Sequence, residues 1–324
     1  MKNVLVTGAG GFIGSHLTEL LVEKGFNVKA YIHYNSKNNW GWLEGSKYKN
    51  DIEVVSGDIR DFDSVNSAIK SVDSVFHLAA LIGIPYSYVS PLAYIRTNIE
   101  GTYNILQSAR DAQLDNIMIT STSETYGTAQ YVPIDEKHEA VGQSPYSATK
   151  ISADEIALSY YRSFNLPVKI VRPFNTYGPR QSARAIIPTI ISQLLSGKKE
   201  LHLGNLSPTR DLTFVKDTAK GFYEISQSDS LNGEATNIGM NKEIQMGELV
   251  KLIGELIGAD FKIISEDQRI RPDKSEVERL WCDHTKIMKH TNWKPDYILK
   301  TGLQETIDWM KQNLNTYKTD IYNV

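Results

Sequence analysis

Tyr146-Ser147-Ala148-Thr149-Lys150 sets a phenol and an ammonium four residues apart. On a helix that spacing puts both groups on one face. An adjacent ammonium favours a phenolate and is expected to lower the Tyr146 pKa towards working pH. Such a phenolate can take the proton of a sugar hydroxyl while a hydride leaves the same carbon. Upstream, Thr122, Ser123 and Glu124 supply two hydroxyls and a carboxylate, inside Thr120-Ser121-Thr122-Ser123-Glu124-Thr125-Tyr126-Gly127. They follow an expected strand and can act on the adjacent carbon. Together the two sets imply transient oxidation of a sugar, use of the ketone, and return of the electrons. The plainer readings are a helix-surface pair for Tyr146 and Lys150 and an exposed loop carboxylate for Glu124.

These groups need a frame. Val4-Leu5-Val6 is a strand-sized apolar run ending in Thr7-Gly8-Ala9-Gly10-Gly11. From Ile13 the pattern turns helical through Leu17, Leu20 and Leu21, with Gly25 as the stop. Further strands are expected at Val28 to Ile32, Glu53 to Val55, Ser74 to Leu78, Asn116 to Thr120 and Val168 to Val171. Long helices are expected from Pro91 to about Gln113 and from Pro145 to about Asn165. Strands alternating with helices predict an α/β fold with a parallel, doubly wound Rossmann-type sheet. Beyond Asn175 regularity weakens. Helices are expected over Ala185–Ser196, Asp217–Ser226, Met246–Ile257 and Thr301–Asn315, with short strands near Leu201, Leu212, Thr236 and Phe261. The division expected is 1–175 for a dinucleotide, with roughly 211–240 returning to it, and 176–324 mainly for a sugar nucleotide.

Gly8, Gly11 and Gly14 have GxxGxxG spacing directly after the first strand. Glycines there let the backbone turn tightly and approach a pyrophosphate at a helix N-terminus. The plainer alternative is a loop that only packs a helix on a sheet. Asp58, after the third strand, is placed to accept from an adenine amine. His77-Leu78-Ala79-Ala80 ends the fourth with small residues that leave room for a cofactor. The second strand ends Ile32-His33-Tyr34-Asn35-Ser36-Lys37, with neither an acid for a ribose 2′-hydroxyl nor an arginine for a 2′-phosphate. The missing arginine favours NAD and leaves NADP open.

Composition narrows the class. The 324 residues carry a net charge of -3, which gives no field favouring nucleic acid. Apolar stretches are strand-sized, so no membrane span is expected. The opening residues run straight into an expected strand, leaving no room for a leader, and a cytoplasmic protein is the simplest expectation. Cys282 is the sole cysteine and the seven histidines lack ligand spacing, so no metal site is expected.

With these motifs in view, the chain resembles the extended short-chain dehydrogenase/reductase family over essentially its whole length. The resemblance is carried by Gly8-xx-Gly11-xx-Gly14, Asp58, His77 to Ala80, Asn98 in Thr97 to Thr102, Tyr146-xxx-Lys150 and Arg172-Pro173-Phe174-Asn175. It implies a retained NAD(P) and a nucleotide-activated sugar substrate. The implied cofactor contacts are Gly8, Gly11, Phe12, Ile13 and Gly14 in the first turn, and Asp58 with Ile59. Leu78, Ala79, Ala80, Asn98, Tyr146, Lys150 and Pro173 complete them, with Lys150 also reaching the nicotinamide ribose. Asn175, Arg184, Arg210 and Arg279 are the implied substrate contacts, although a surface ion pair is the bland alternative for an arginine. A homodimer or dimer of dimers is expected, its two long helices pairing across a two-fold axis, with Ala109, Ala112, Ala153 and Ala157 permitting close approach.

Glu124 narrows the reading further. By the same resemblance, simple 4-epimerases usually lack a carboxylate there, whereas 4,6-dehydratases and UDP-glucuronate decarboxylases have one. dTDP-glucose dehydratases commonly carry aspartate at the Ser123 position, and GDP-mannose dehydratases carry serine, as here. Three segments, Tyr34 to Glu44, Asn175 to Pro188 and Arg271 to Arg279, resemble the N-acetylglucosamine-nucleotide 4,6-dehydratases of bacterial legionaminic acid synthesis. A GDP- or UDP-linked N-acetylglucosamine is thereby implied as substrate. Trp40 and Trp42 in the first segment read equally as packing and as substrate contact. The alternatives are a decarboxylase, with Arg180 or Arg184 holding a carboxylate, an epimerase, and a non-catalytic NAD(P)-sensing scaffold.

Overall fold

Side-chain alternation along the first strand sends Val4 and Val6 into one core and Leu5 into another. A strand buried on both faces belongs in the middle of a covered parallel sheet, and that is where it lies. The computed structural model describes residues 2–266, 269 and 272–318, so Arg271 of the last resembling segment lies outside the described residues. Its strands are β1 (Asn3–Thr7), β2 (Asn27–His33), β3 (Ile52–Gly57), β4 (Ser74–His77), β5 (Asn116–Thr120), β6 (Val168–Pro173) and β7 (Asn175–Tyr177). They continue as β8 (Glu200–Leu203), β9 (Thr209–Phe214), β10 (Ala235–Ile238), β11 (Glu243–Gln245), β12 (Lys262–Ser265) and β13 (Arg279–Leu280). The main sheet has seven parallel strands in the order β10-β6-β5-β4-β1-β2-β3.

Helices cover both faces. On one side lie α1 (Phe12–Glu23) and, from much later in the chain, α8 (Val215–Ser226). On the other lie α2 (Phe62–Ile69), α5 (Gly101–Asp111) and α6 (Pro145–Phe164). α3 (Ile84–Val89) and α4 (Pro91–Tyr94) precede α5, and α4 runs into it through a π-helical stretch at Ile95–Glu100. Ser144 and Ser147 form a reciprocal capping box that starts α6, and Pro145 occupies its first turn. β9 pairs with β7, β11 and β13 beside a third core built on α7 (Ile186–Leu195), α9 (Met246–Ile257) and α11 (Leu299–Gln312). α10 (Thr285–His290) packs near β10.

Two expectations change. α2 does not appear in the sequence reading, although Asp61 caps it by accepting from the Asp63 and Ser64 amides. The alanines expected between subunits are elsewhere: Ala109, Ala153 and Ala157 are fully buried within the chain, and only Ala112 is exposed. They let α5 and α6 lie close to the sheet. The outward face carries Ile95 and Tyr103 instead.

Candidate active site

The carboxyl ends of β1, β4, β5 and β6 converge, and each ends in a candidate residue. β1 leads into Gly8, whose φ of 68° is costly for other residues. A Cβ on Gly14 would stand 2.2 Å from the Gly8 carbonyl oxygen, so only glycine lets α1 begin this close to β1. Gly11 is the N-cap and no side chain satisfies the first-turn amides. The Thr7 hydroxyl accepts from the Leu78 and Ala79 amides, both at 3.1 Å, and fixes the turn after β4. An uncapped helix N-terminus beside the half-buried Leu78, Ala79 and Ala80 fits a dinucleotide pyrophosphate.

Other dinucleotide candidates are more committed. Asp58 is held by Arg60, which keeps its carboxyl below the usual range. Ile59 is buried against Gly101. Phe12 and Ile13 turn their side chains onto the third core, leaving only their backbones for a phosphate. Asn98 spends its amide on the Leu81 backbone and the Thr149 hydroxyl, so it positions the turn after β4. Pro173 is buried where β6 pairs with Ile238.

The catalytic candidates meet at the start of α6. Tyr146 is buried, its ring edge-on to Tyr94 at 6.2 Å, and its phenol faces the Thr122 side chain. Thr122 also caps the turn Ser123–Tyr126 by accepting from the Glu124 amide. Ser123 is buried and Glu124 half-buried. The Glu124 carboxylate accepts no hydrogen bond and forms no ion pair among the described residues, while its field reaches the Tyr146 phenol. Lys150 is buried and donates to the Thr120 carbonyl.

The Lys150 ammonium does not lower the Tyr146 phenol as its spacing predicts. Burial pushes the Tyr146 phenol up, with the Thr122 hydroxyl opposing it. Burial also lowers the Lys150 ammonium to about 8, against the field of Asp154. Desolvation outweighs the pairing that spacing alone predicts. His77 is likewise held neutral, its pKa lowered to about 3 by burial and by Lys150.

The substrate candidates fall into two groups. Asn175, half-buried at the start of β7, has a buried Oδ1 with no hydrogen-bond partner. Arg210 and Arg279 lie on adjacent strands, but each already holds a carboxylate. Arg210 meets Glu276 at 3.2 Å, and Arg279 meets Glu243 bidentately over the Trp281 ring. Arg184 is exposed and its guanidinium lies over Gly83, where a Cβ would meet it at 3.5 Å, next to Tyr94. Arg180 is claimed by Glu19 in a two-point ion pair. That removes one of the two arginines proposed for a uronate carboxylate.

The tryptophan loop packs. The Trp42 amide donates to the Gly10 carbonyl, and the Trp42 ring meets Trp309 edge-on at 5.3 Å. Trp309 meets Tyr317 in turn, and the Tyr317 hydroxyl donates to the Gln181 carbonyl. Missed from the sequence were Tyr94, which needs the α3–α4 turn to reach the site, and Asp154, whose signal was available in the Lys150-xxx-Asp154 spacing.

The family model described as GDP-mannose 4,6 dehydratase matches residues 5–306. The chain belongs to this family. Its relatives perform related but distinct chemistries. A putative UDP-glucose 4-epimerase from Methanocaldococcus jannaschii is 33% identical, covering 97% of this chain and 100% of that one. A UDP-N-acetyl-alpha-D-glucosaminuronate decarboxylase from Bacillus cytotoxicus is 31% identical over 96% of this chain and 98% of its own. A dTDP-glucose 4,6-dehydratase from Streptomyces venezuelae, solved with NAD bound, superposes with a TM-score of 0.88 at 27% identity. It covers 98% of this chain and 99% of that chain. Membership makes this an enzyme of the sugar-nucleotide dehydratase, epimerase and decarboxylase group, with the α/β Rossmann fold.

Proposed function

We propose that the chain is an NAD-dependent 4,6-dehydratase of a GDP- or UDP-linked N-acetylglucosamine, forming the 4-keto-6-deoxy sugar for bacterial nonulosonic (legionaminic) acid synthesis. The observation that carries dehydration is Glu124: a half-buried carboxylate beside the Tyr146 phenol, with no internal partner among the described residues. The N-acetylglucosamine assignment rests on the sequence segments Tyr34 to Glu44, Asn175 to Pro188 and Arg271 to Arg279. Residues 1–175 would serve the dinucleotide, together with 211–240, and the remainder mainly the sugar nucleotide.

Bound NAD would accept a hydride from C4 and return it to C6, ending as it began. Tyr146 takes the C4 hydroxyl proton in its phenolate form, with the Lys150 charge assisting against the burial that raises the phenol. Thr122 holds the same substrate oxygen through its hydroxyl. Once C4 is a ketone the C5 proton is acidic, and Glu124 removes it. The C6 oxygen leaves as water, with Glu124 passing its proton by way of Ser123, and once the hydride has reached C6 a proton drawn from solvent is delivered to C5. Asn175 meets the diphosphate side of the substrate by donating from its side-chain Nδ2–H, and Arg210 and Arg279 would turn from Glu276 and Glu243 towards the phosphates.

The test is a panel of nucleotide sugars with products read by mass. The expected result is loss of water, and substrate deuterated at C4 should give product deuterated at C6. Loss of carbon dioxide from a uronic acid would establish the second reading, decarboxylation, which Arg184 over Gly83 favours. Simple inversion would indicate an epimerase, and an unchanged panel a non-catalytic dinucleotide-binding protein.

Assembly belongs to the same proposal. Exposed Ile95 and Tyr103 lie on the long helical rod beside α6, a face suited to a second copy. Sedimentation at micromolar concentration should show a dimer or a dimer of dimers. A purely monomeric boundary would overturn the expectation.

A further inference from the structure

α6 carries a third ionisable group in register with its first two. Asp154 follows Lys150 by four residues, as Lys150 follows Tyr146, and all three are buried. The Asp154 Oδ2 accepts from the Ser121 hydroxyl at 2.6 Å and from the Arg172 guanidinium at 3.2 and 2.9 Å. Arg172 in turn donates to the Tyr126 hydroxyl at 3.0 Å, and that hydroxyl donates to Asn237 Oδ1 at 2.8 Å. The Asp154 Oδ1 is buried with no hydrogen-bond partner. Three donor atoms therefore crowd onto one oxygen while the other goes without.

We propose that Asp154 is a positioning residue for the reaction, its fixed carboxylate sustaining the buried Lys150 ammonium one turn away on α6. The inference rests on the reading of Tyr146 and Lys150 as the pair that serves oxidation at C4.

The groups around Lys150 decide which charge matters. β5 contributes the Thr120 carbonyl, an acceptor without net charge. β4 contributes His77, which is neutral. β6 contributes Arg172, which is already committed to Asp154. The turn after β5 contributes Glu124, whose field acts on Tyr146, and the α3–α4 region contributes the phenol of Tyr94. Among the described residues, Asp154 is the one charge whose field holds the Lys150 ammonium up against burial. Without it the ammonium gives up its proton at a lower pH, and the phenolate loses its counter-charge there.

The test is kcat against pH for the parent, Asp154→Asn and Asp154→Glu, on the nucleotide sugar turned over fastest. In Asp154→Asn the alkaline limb should move down by roughly one pH unit or more. Asp154→Glu keeps the charge and should restore the parent limb. Asparagine leaves Arg172 buried without its anion and can prevent folding. The double variant Asp154→Asn with Arg172→Met removes both charges and should show the same downward shift. A uniform fall in kcat with an unmoved limb, in whichever variant folds, would make Asp154 a structural ion pair and overturn the proposal. Normal turnover by Tyr146→Phe and Lys150→Met would instead remove the underlying pair, which distinguishes the two failures.

Discussion

Glu124→Gln is expected to stop elimination while leaving oxidation at C4 intact. Glutamine keeps the size and a hydrogen-bonding end, but it cannot take the C5 proton. The carboxylate has no internal hydrogen bond among the described residues to lose, so the fold should be unaffected. On the proposed mechanism oxidation draws on Tyr146, Lys150 and Thr122, which the substitution leaves in place. Dehydration should fall by about 10²–10⁴-fold, the usual worth of a general base. A 4-keto hexose nucleotide should build up in a single turnover, trapped by borohydride and identified by mass. Exchange of the C5 proton with solvent should cease as well. If dehydration and C5 exchange both persist at the parent rate, the base is another residue and the mechanism must be rebuilt around it.

Tyr146→Phe should fail one step earlier. The ring still packs edge-on against Tyr94, so the pocket keeps its shape and affinity for nucleotide sugar should change little. The hydroxyl that meets Thr122 is gone, and with it the group that receives the C4 proton. Turnover should drop by about 10²–10⁴-fold or more, and borohydride should trap no ketone. This contrast with Glu124→Gln orders the two residues along the reaction. Substantial turnover by the phenylalanine variant would remove Tyr146 from its role.

Local pattern was enough to place the site's frame. Alternation at Val4 to Val6, the glycine spacing after it and the Tyr146-to-Lys150 step are short-range signals, and they lead directly to strand, turn and helix face. What was illegible depended on partners far away in sequence. Helical spacing at Ala109, Ala153 and Ala157 shows which residues share a face but not what that face meets, and here it meets the sheet. The claim of Glu19 on Arg180 spans 161 residues, and no motif announces it. The pKa of Tyr146 depends on how deeply α6 is buried, so the ammonium's proximity in sequence misjudged the balance. Asp154 was within reach of the same spacing argument but needed Arg172 and Ser121 to acquire meaning.

The last strand of the main sheet has an evolutionary consequence. β6 hydrogen-bonds to β10, formed more than sixty residues later, and α8 covers the same sheet beside α1. The Gly233 amide donates to the Val168 carbonyl and the Phe174 amide to the Ile238 carbonyl, stitching the two segments at both ends. A recombination crossover near residue 175 would thus separate a sheet from its own edge, leaving β6 with an open row of amides and carbonyls. Gene fragments for the two halves cannot be shuffled as cassettes among relatives that act on different sugars. New specificities are then expected to arise by substitutions and loop exchanges around an undivided scaffold. Substrate change can then proceed residue by residue while Tyr146, Lys150 and the glycine turn remain in place.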